Sequence, residues 1–314
     1  MCWANLKRMS LSFACPKCHA QLASPSPEAF VCLADNLRFE RANGVWRFLL
    51  PERQAYYAQF IADYETVRRS EGRSSSDVNY YRSLPYRDLN GRLSADWRIR
   101  AASFDSFLAH VLLPLEQEMA RPLTVLDLGA GNGWLSNRLA QRRHTLGAVD
   151  LTLNDFDGLG CHRYFDSTYT PIQAEFDDLP LLNDAADLII FNASLHYSED
   201  YSETLSESLR VLAPNGTLVI LDSPLYHDAR SGAQMVKERE GLFTKRYGFR
   251  SNALKNQNYL TYSSLQQLGA TLGIRWQFIT PNYGLLWEMR PFKAKLLGQR
   301  EPAKFHVVVG RSSD

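Results

Sequence analysis

The run Val125-Leu126-Asp127-Leu128-Gly129-Ala130-Gly131-Asn132-Gly133 constrains this chain more than any other segment. It reads as a short apolar strand followed by a glycine turn. The stretch Trp134-Leu135-Ser136-Asn137-Arg138-Leu139-Ala140 then takes up helical spacing. A strand feeding a glycine turn and a helix is where open α/β sheets hold nucleotide-like ligands. Glycine permits positive φ and lets a ligand approach the backbone closely. The spacing here is G-x-G-x-G, whereas dinucleotide sites use G-x-G-x-x-G. A carboxylate, Asp127, sits two positions before the first glycine. It would repel a pyrophosphate and suits an ammonium group or a water bound to one.

Further signals follow in order. Thr145 to Asp150 reads as a second apolar strand ending in a carboxylate, 17 residues past Gly133. That is close to the roughly 20-residue offset of a ribose-binding acid. A carboxylate there can accept both ribose hydroxyls; its competing role is a cap or turn residue. Gln173 to Pro180 places three acids and Phe176 ahead of a Leu-Pro pair. Ala186 to Tyr197 is an apolar run reaching the carboxyl edge of the expected sheet, where such folds bind ligands. Leu209 to Asp222 reads as a turn at Pro214-Asn215-Gly216 entering another strand.

Taken in this order, residues 121–222 resemble the motifs of the class I S-adenosylmethionine-dependent methyltransferases. The glycine run is similar to motif I, and the later segments resemble the family's acidic, adenine-side, fourth-strand and fifth-strand motifs. Asn215 stands where the family has a glycine, a mild departure because Asn tolerates the left-handed conformation. The resemblance implies an α/β fold: a doubly wound, seven-stranded, mostly parallel sheet with helices on both faces. It implies S-adenosyl-L-methionine as cofactor. The residues carried over are Asp127, Gly129, Ala130, Gly131 and Gly133 in the loop, Asp150 and Leu151 at the ribose, and Glu175 and Phe176 at the adenine. Asp177 is an equally typed neighbour of Glu175, and Asp178 is expected in solvent. Asn192 is placed beside the sulfonium, with Ser194 to Tyr197 facing the methyl group.

The 314 residues allow one large α/β domain with an appendage. No apolar stretch approaches the roughly 18 residues of a membrane helix, so no membrane span is expected. Met1 to Arg8 lacks a signal peptide's apolar core, and Met9 is an alternative start. A cytoplasmic, reducing location is therefore expected, with the five cysteines free of disulfides. The net charge of +1 hides an asymmetry. Residues 123–222 carry 5 Lys and Arg against 15 Asp and Glu; residues 223–314 carry 14 against 6. A basic C-terminal part suits an anionic partner, RNA included, or is simply a solvated face.

At the N-terminus, Cys15-Pro16-Lys17-Cys18 is a C-P-x-C knuckle, and Cys32 follows 14 residues after Cys18. The stretch Phe39 to Leu50 reads as the hairpin of a short zinc ribbon. Three thiolates with a carboxylate can hold a tetrahedral zinc. The expected set is Cys15, Cys18, Cys32 and Asp35, with His19 the alternative fourth ligand. Such a zinc is structural. The competing reading is a metal-free ribbon packed by Trp46, Phe48 and Leu50. A ribbon ahead of such a domain also resembles the ribosomal RNA guanine methyltransferases, up to the fourth ligand.

The expected organisation is a ribbon over 1–50, a helical lid over 51–120, and the methyltransferase domain over 121–314 with a substrate-cap insertion at about 223–265. Tyr80, Tyr81 and Tyr86 are candidate lid residues, with core or surface aromatics the favoured reading for each one alone. Residues 274–279 and 305–310 read as the closing antiparallel hairpin. His196 and His227 are the candidate general bases. Three functions stay open: methyl transfer to a small-molecule acceptor, an RNA base methyltransferase, and a non-catalytic protein that binds the cofactor.

Overall fold

The computed structural model describes residues 11–250 and 253–312. Met1 to Arg8 and Met9 lie outside the described residues.

Four short strands open the chain: β1 (Ala23–Ser26), β2 (Ala29–Cys32), β3 (Leu37–Ala42) and β4 (Val45–Arg47). Helix α1 (Pro51–Ser70) starts with proline in its first turn, where the missing N–H costs nothing. Helices α2 (Val78–Ser83) and α3 (Ser94–Phe107) follow, and α3 continues through a π-helical turn, Leu108–Leu112, into α4 (Leu113–Met119). Next come β5 (Thr124–Leu128), α5 (Trp134–Ala140), β6 (Thr145–Asp150), β7 (Thr170–Gln173), β8 (Ala186–Asn192), α6 (Tyr201–Val211) and β9 (Leu212–Leu221). The chain ends with β10 (Leu225–Tyr226), α7 (Ala229–Tyr247), β11 (Leu260–Thr261), α8 (Tyr262–Leu272), β12 (Ile274–Ile279), α9 (Leu285–Glu288), α10 (Arg290–Leu296) and β13 (Val307–Ser312).

The central sheet runs β7-β6-β5-β8-β9-β13-β12. Pairings from β7 to β9 are parallel; β13 is antiparallel to both β9 and β12, as expected of a closing hairpin. Every residue of β5 and of β8 is buried, which is why both read as continuous apolar runs. The chain moves outward from β5 to β6 and β7, then returns to place β8 on the other side of β5. That reversal opens a crevice at the carboxyl ends of the strands. Asn215, the fourth residue of β9, adopts φ 64°, the left-handed conformation that glycine would take.

Two features depart from the sequence reading. The ribbon is not a separate lobe. β4 pairs in parallel with β7, Trp46 opposite Ile172, so β1 to β4 extend the sheet to eleven strands. An aromatic cluster seals the joint: Phe30 lies 4.5 Å and Phe13 5.8 Å from Trp46, and Phe39 lies 5.0 Å from Phe48, centroid to centroid. The lid reading of the tyrosines at 80–86 is the other, since they take the core and surface places of the favoured reading. Tyr80 and Tyr81 are core residues, and Tyr81 donates its hydroxyl to the Phe156 carbonyl; Tyr86 is half exposed and bonds Asp105. No helix among the described residues is long and apolar enough to cross a membrane.

Candidate cofactor and acceptor site

The glycine loop is tied down by backbone hydrogen bonds. The N–H groups of Gly129 and Ala130 both donate to the Val149 carbonyl, at 2.8 and 3.0 Å. Gly129, Gly131 and Gly133 adopt φ of 78°, 54° and 77°. Gly129 also has no room for a side chain, since a Cβ there would meet Ser194 Cβ at 2.3 Å. Ser194 is fixed in turn by donating to the Leu128 carbonyl at 2.5 Å. The end of β8 is thus pressed against the loop that follows β5.

Asp150, at the end of β6, accepts from the Gly131 N–H at 2.8 Å, the Thr152 N–H at 2.8 Å and the Thr152 hydroxyl at 2.6 Å. It both braces the loop and lines a cavity. Asp127 lies elsewhere than the loop surface. It is buried within β5, accepts from Ser136 Oγ at 2.7 Å, and lines neither cavity of the crevice. Burial pushes its carboxyl up to about 7, against the pull of Ser136. Through Ser136 it ties strand β5 to helix α5, while its Oδ1 is buried with no hydrogen-bond partner among the described residues.

Two adjoining cavities occupy the crevice. The smaller, about 80 Å³, is lined by Asp150, Leu151, Glu175, Phe176, Asp177 and Ser194 among others. The larger, about 360 Å³, is lined by Gly129, Ala130, Gly131, Asn192 and His196 on the sheet side. Gly129, Ala193, Tyr197, Phe60 and Tyr64 face both. The structure therefore brings Gly129, Ala130, Gly131, Asp150, Leu151, Glu175, Phe176 and Asn192 together. Gly133 lines neither cavity; it caps α5 and packs against Tyr169. Asn192 Oδ1 is buried and has no hydrogen-bond partner among the described residues. It is an acceptor held ready for a donor.

The wall facing the sheet is α1, which sequence reasoning assigned only loosely to a lid. Arg53 reaches across from α1 to clamp Glu175, and Tyr57 donates to Glu175 Oε2 at 2.9 Å. One turn from the end of the helix, Arg68 pairs with buried Asp157, which also accepts from Asn132 Nδ2 of the glycine loop at 3.3 Å. Nothing local announced these contacts; their signal is only that basic residues recur on the buried side of an aromatic helix.

The two histidines fare differently. His196 is buried on the larger cavity, with Nδ1 3.2 Å from Ser223 Oγ. Burial, with the charges of Arg239 and Arg100, pulls its pKa down to about 3. The imidazole is therefore neutral at ordinary pH, and a weak base while the cavity is empty of anions. His227 is exposed, stacks on Tyr262 at 4.2 Å and lies 3.1 Å from Lys304 Nζ, outside both cavities. It sits past the point where the chain turns away from the sheet edge, so the base role expected of it has no support in its position.

In the ribbon, Cys15, Cys18, Cys32 and Asp35 offer ligand atoms all within 4.8 Å of one another. Cys18 Sγ and Cys32 Sγ are 3.6 Å apart, and Asp35 Oδ2 lies 3.3 Å from Cys15 Sγ and 3.5 Å from Cys32 Sγ. Thiolates about 2.3 Å from a zinc stand about 3.8 Å apart at tetrahedral angles, so the set fits that ion. His19, the alternative ligand, turns to Glu207 at 3.8 Å.

A doubly wound sheet with a glycine loop and paired cavities at its switch point is the arrangement in which open α/β folds hold their ligands. Residues 126–220 match the family described as a methyltransferase domain. Residues 126–220 thus carry a methyltransferase domain. A malonyl-[acyl-carrier protein] O-methyltransferase of Buchnera aphidicola is 29% identical over 124 residues, 38% of this chain and 49% of that protein. A dimethylglycine N-methyltransferase of Parasynechococcus marenigrum is 29% identical over 117 residues, 36% of this chain and 42% of that protein. The chain thus spans half or less of the length of these curated relatives. A solved structure, a putative sarcosine dimethylglycine methyltransferase from Galdieria sulphuraria, covers 80% of this chain and 99% of its own, at 15% identity and a TM-score of 0.48.

Proposed function

We propose that the protein transfers a methyl group from S-adenosylmethionine to a small-molecule acceptor. The pair of cavities meeting at Gly129, Ala193 and Tyr197 carries this reading. The smaller has the acids and the aromatic ring that an adenosine needs. The larger has room for an amino-acid end and a small acceptor together, within the usual size of small-molecule sites. When bound, the cofactor supplies a methyl group on a sulfonium, already activated for in-line displacement.

The chain's own residues then bind and orient. Asp150 takes the ribose hydroxyls, Glu175 Oε1 and Phe176 the adenine, and Asn192 Oδ1 the ammonium group. The Gly129–Gly131 backbone lets the ligand lie close. α1 covers the crevice through Arg53 and Arg68, keeping water from the reacting atoms. Holding nucleophile and methyl in line supplies several kcal/mol by proximity. Neutral His196 is the group placed to accept a proton from an oxygen or nitrogen nucleophile. The ribbon cluster, on this reading, holds a structural zinc that takes no part in the transfer.

Isothermal titration with S-adenosylhomocysteine tests the proposal. Micromolar binding, weakened by Asp150→Ala, is expected. No binding at millimolar ligand sinks it.

A further inference from the structure

Four arginines line the larger cavity. Two are spoken for: Arg68 pairs with Asp157, and Arg73 donates to Glu71 at 2.6 Å and to Asp96 at 3.3 Å. The other two, Arg100 and Arg239, form no salt bridge among the described residues. Arg100, on α3, lies over the Trp97 ring at 5.3 Å; Trp97 in turn meets Trp134, the residue after the glycine loop, edge to face at 6.1 Å. Its nearest acid in charge terms is Asp222, which is occupied by the Ser103 hydroxyl at 2.5 Å. Arg239 projects from α7, on the far wall. Its Nε is buried without a hydrogen-bond partner among the described residues. A guanidinium N–H hidden from water and left unbonded is costly, and it marks a place prepared for an acceptor atom.

S-adenosylmethionine brings one carboxylate, and the cavity holds two guanidinium groups free of carboxylate partners. Arg100 stands on the glycine-loop side, over Trp97, which meets Trp134. Arg239 is left over, beside Phe243 and Phe249, which face the same cavity. We propose that the methyl acceptor carries an anionic group, a carboxylate or a phosphate, on a flat apolar body, and that Arg239 binds that group. This deepens the reading of the site as a methyltransferase and rests on it. A planar guanidinium suits either anion through paired N–H donors. Neutralising Arg239 also lifts one of the charges acting on His196, so the acceptor's own anion restores basicity to the imidazole beside it.

The test is a titration of benzoate, phenyl phosphate and neutral benzamide into protein saturated with S-adenosylhomocysteine, repeated without it. Benzoate or phenyl phosphate binds at least tenfold tighter than benzamide, and whichever is tighter names the anion. Arg239→Gln removes that preference and shifts S-adenosylhomocysteine affinity less than twofold; Arg239→Lys keeps part of the preference. Equal binding of benzamide, no binding of any probe, or a preference that survives Arg239→Gln overturns the proposal. The two failures separate. If S-adenosylhomocysteine does not bind but the anion preference depends on Arg239, the anion site stands and the cofactor reading falls. If the cofactor analogue binds without any anion preference, the reverse holds.

A different feature lies on α9 and α10. Leu285, Leu286, Met289, Phe292, Leu296 and Leu297 are each 55–89% exposed. Positions 285, 289, 292 and 296 follow one helical stripe. A contiguous apolar stripe of this kind marks an interaction surface. Exposed Lys293 and Lys295 flank it, within a C-terminal region whose Lys and Arg outnumber its acids 14 to 6. Apolar anchors rimmed by lysines fit the surface of a bilayer holding anionic lipid. We infer that this stripe docks the protein on such a surface. Vesicles of phosphatidylcholine with and without phosphatidylglycerol test it by sedimentation. The protein pellets with the anionic vesicles, and Phe292→Ser with Leu296→Ser releases it. Absence of pelleting overturns the inference, as does a concentration-dependent dimer that the same substitutions abolish.

Discussion

Arg53 and Glu175 stand 122 positions apart in the chain, yet Arg53 Nε lies 2.9 Å from Oε1 and 2.8 Å from Oε2 of the Glu175 carboxylate. The pair fastens α1 to the loop after β7, and Glu175 lines the smaller cavity. Glu175 is 5% exposed, so removing its cation strands a buried charge. Arg53 is about one-third exposed, which reduces the cost. Arg53→Met is expected to lower stability by about 2 kcal/mol in urea denaturation. Glu175→Gln combined with it recovers part of that loss, giving a coupling of about 1–3 kcal/mol in a double-mutant cycle. A coupling near zero would mean the clamp is ornamental.

Asp150 performs two tasks with one carboxylate. It holds Gly131 and Thr152 in place and faces the smaller cavity. Asp150→Ala is therefore expected to weaken S-adenosylhomocysteine by about 10- to 100-fold, from lost charge-assisted hydrogen bonds and a loosened loop. Thr152→Val, which removes only the 2.6 Å hydroxyl contact, should cost far less. Calorimetric titration of both variants checks this. Equal losses would show that loop bracing, not ligand contact, is what matters.

What the sequence displayed clearly was chemistry carried by the local backbone. Three alternate glycines, the acid ending β6, the buried runs of β5 and β8 and the left-handed Asn215 each follow from neighbours a few residues away. What it hid were contacts set by tertiary packing. Arg53 and Arg68 read as ordinary helix-surface arginines until Glu175 and Asp157 are placed beneath them. Tyr80 and Tyr81 stood between lid and core because exposure cannot be read from residue type, and both are core. The place of His227 follows from the backbone bridge between Leu225 and Lys304, partners far apart in the chain that carry no local signal. The burial of Asp127 was likewise invisible from its place in the motif. The ribbon's pairing with β7 was hidden for the same reason, since Trp46 and Ile172 carry no mutual signal.

His196 gives a prediction in pH. Its pKa in the folded protein is about 3, lowered by burial and then by Arg239 and Arg100; in the unfolded chain it is about 6.5. Between those values the unfolded state holds the proton and the folded state does not. Stability from this group is thus complete above about 6.5 and falls as the solution is acidified through that range. The loss is about 2 kcal/mol at pH 5 relative to pH 8. Buried Asp127 and half-buried Asp177 and Asp178, the last expected in solvent, have raised pKa values and act in the opposite sense. The comparison must therefore be made by difference. Urea titrations at pH 5 and pH 8 should show His196→Gln about 2 kcal/mol less acid-sensitive than the parent. An identical slope in both proteins would place the imidazole in water.

Metal removal tests the ribbon. Four ligand atoms within 4.8 Å of one another should bind one zinc per chain, detected by elemental analysis of the purified protein. Cys32→Ser removes a ligand that is both buried and central, being 3.6 Å from Cys18 Sγ and 3.5 Å from Asp35 Oδ2, and should abolish stoichiometric zinc. Asp35→Cys should keep or strengthen it, because thiolate is the softer and better ligand for zinc. The consequence extends past the ribbon. β4 is hydrogen-bonded to β7, and β7 leads directly to Glu175, so loosening the ribbon frees one edge of the sheet beneath the adenine side. Chelation is accordingly expected to lower the melting temperature and to weaken S-adenosylhomocysteine by several-fold, with re-addition of zinc restoring both. Zinc loss that leaves ligand affinity untouched would confine the metal to the ribbon and show that the shared sheet does not transmit its state to the site.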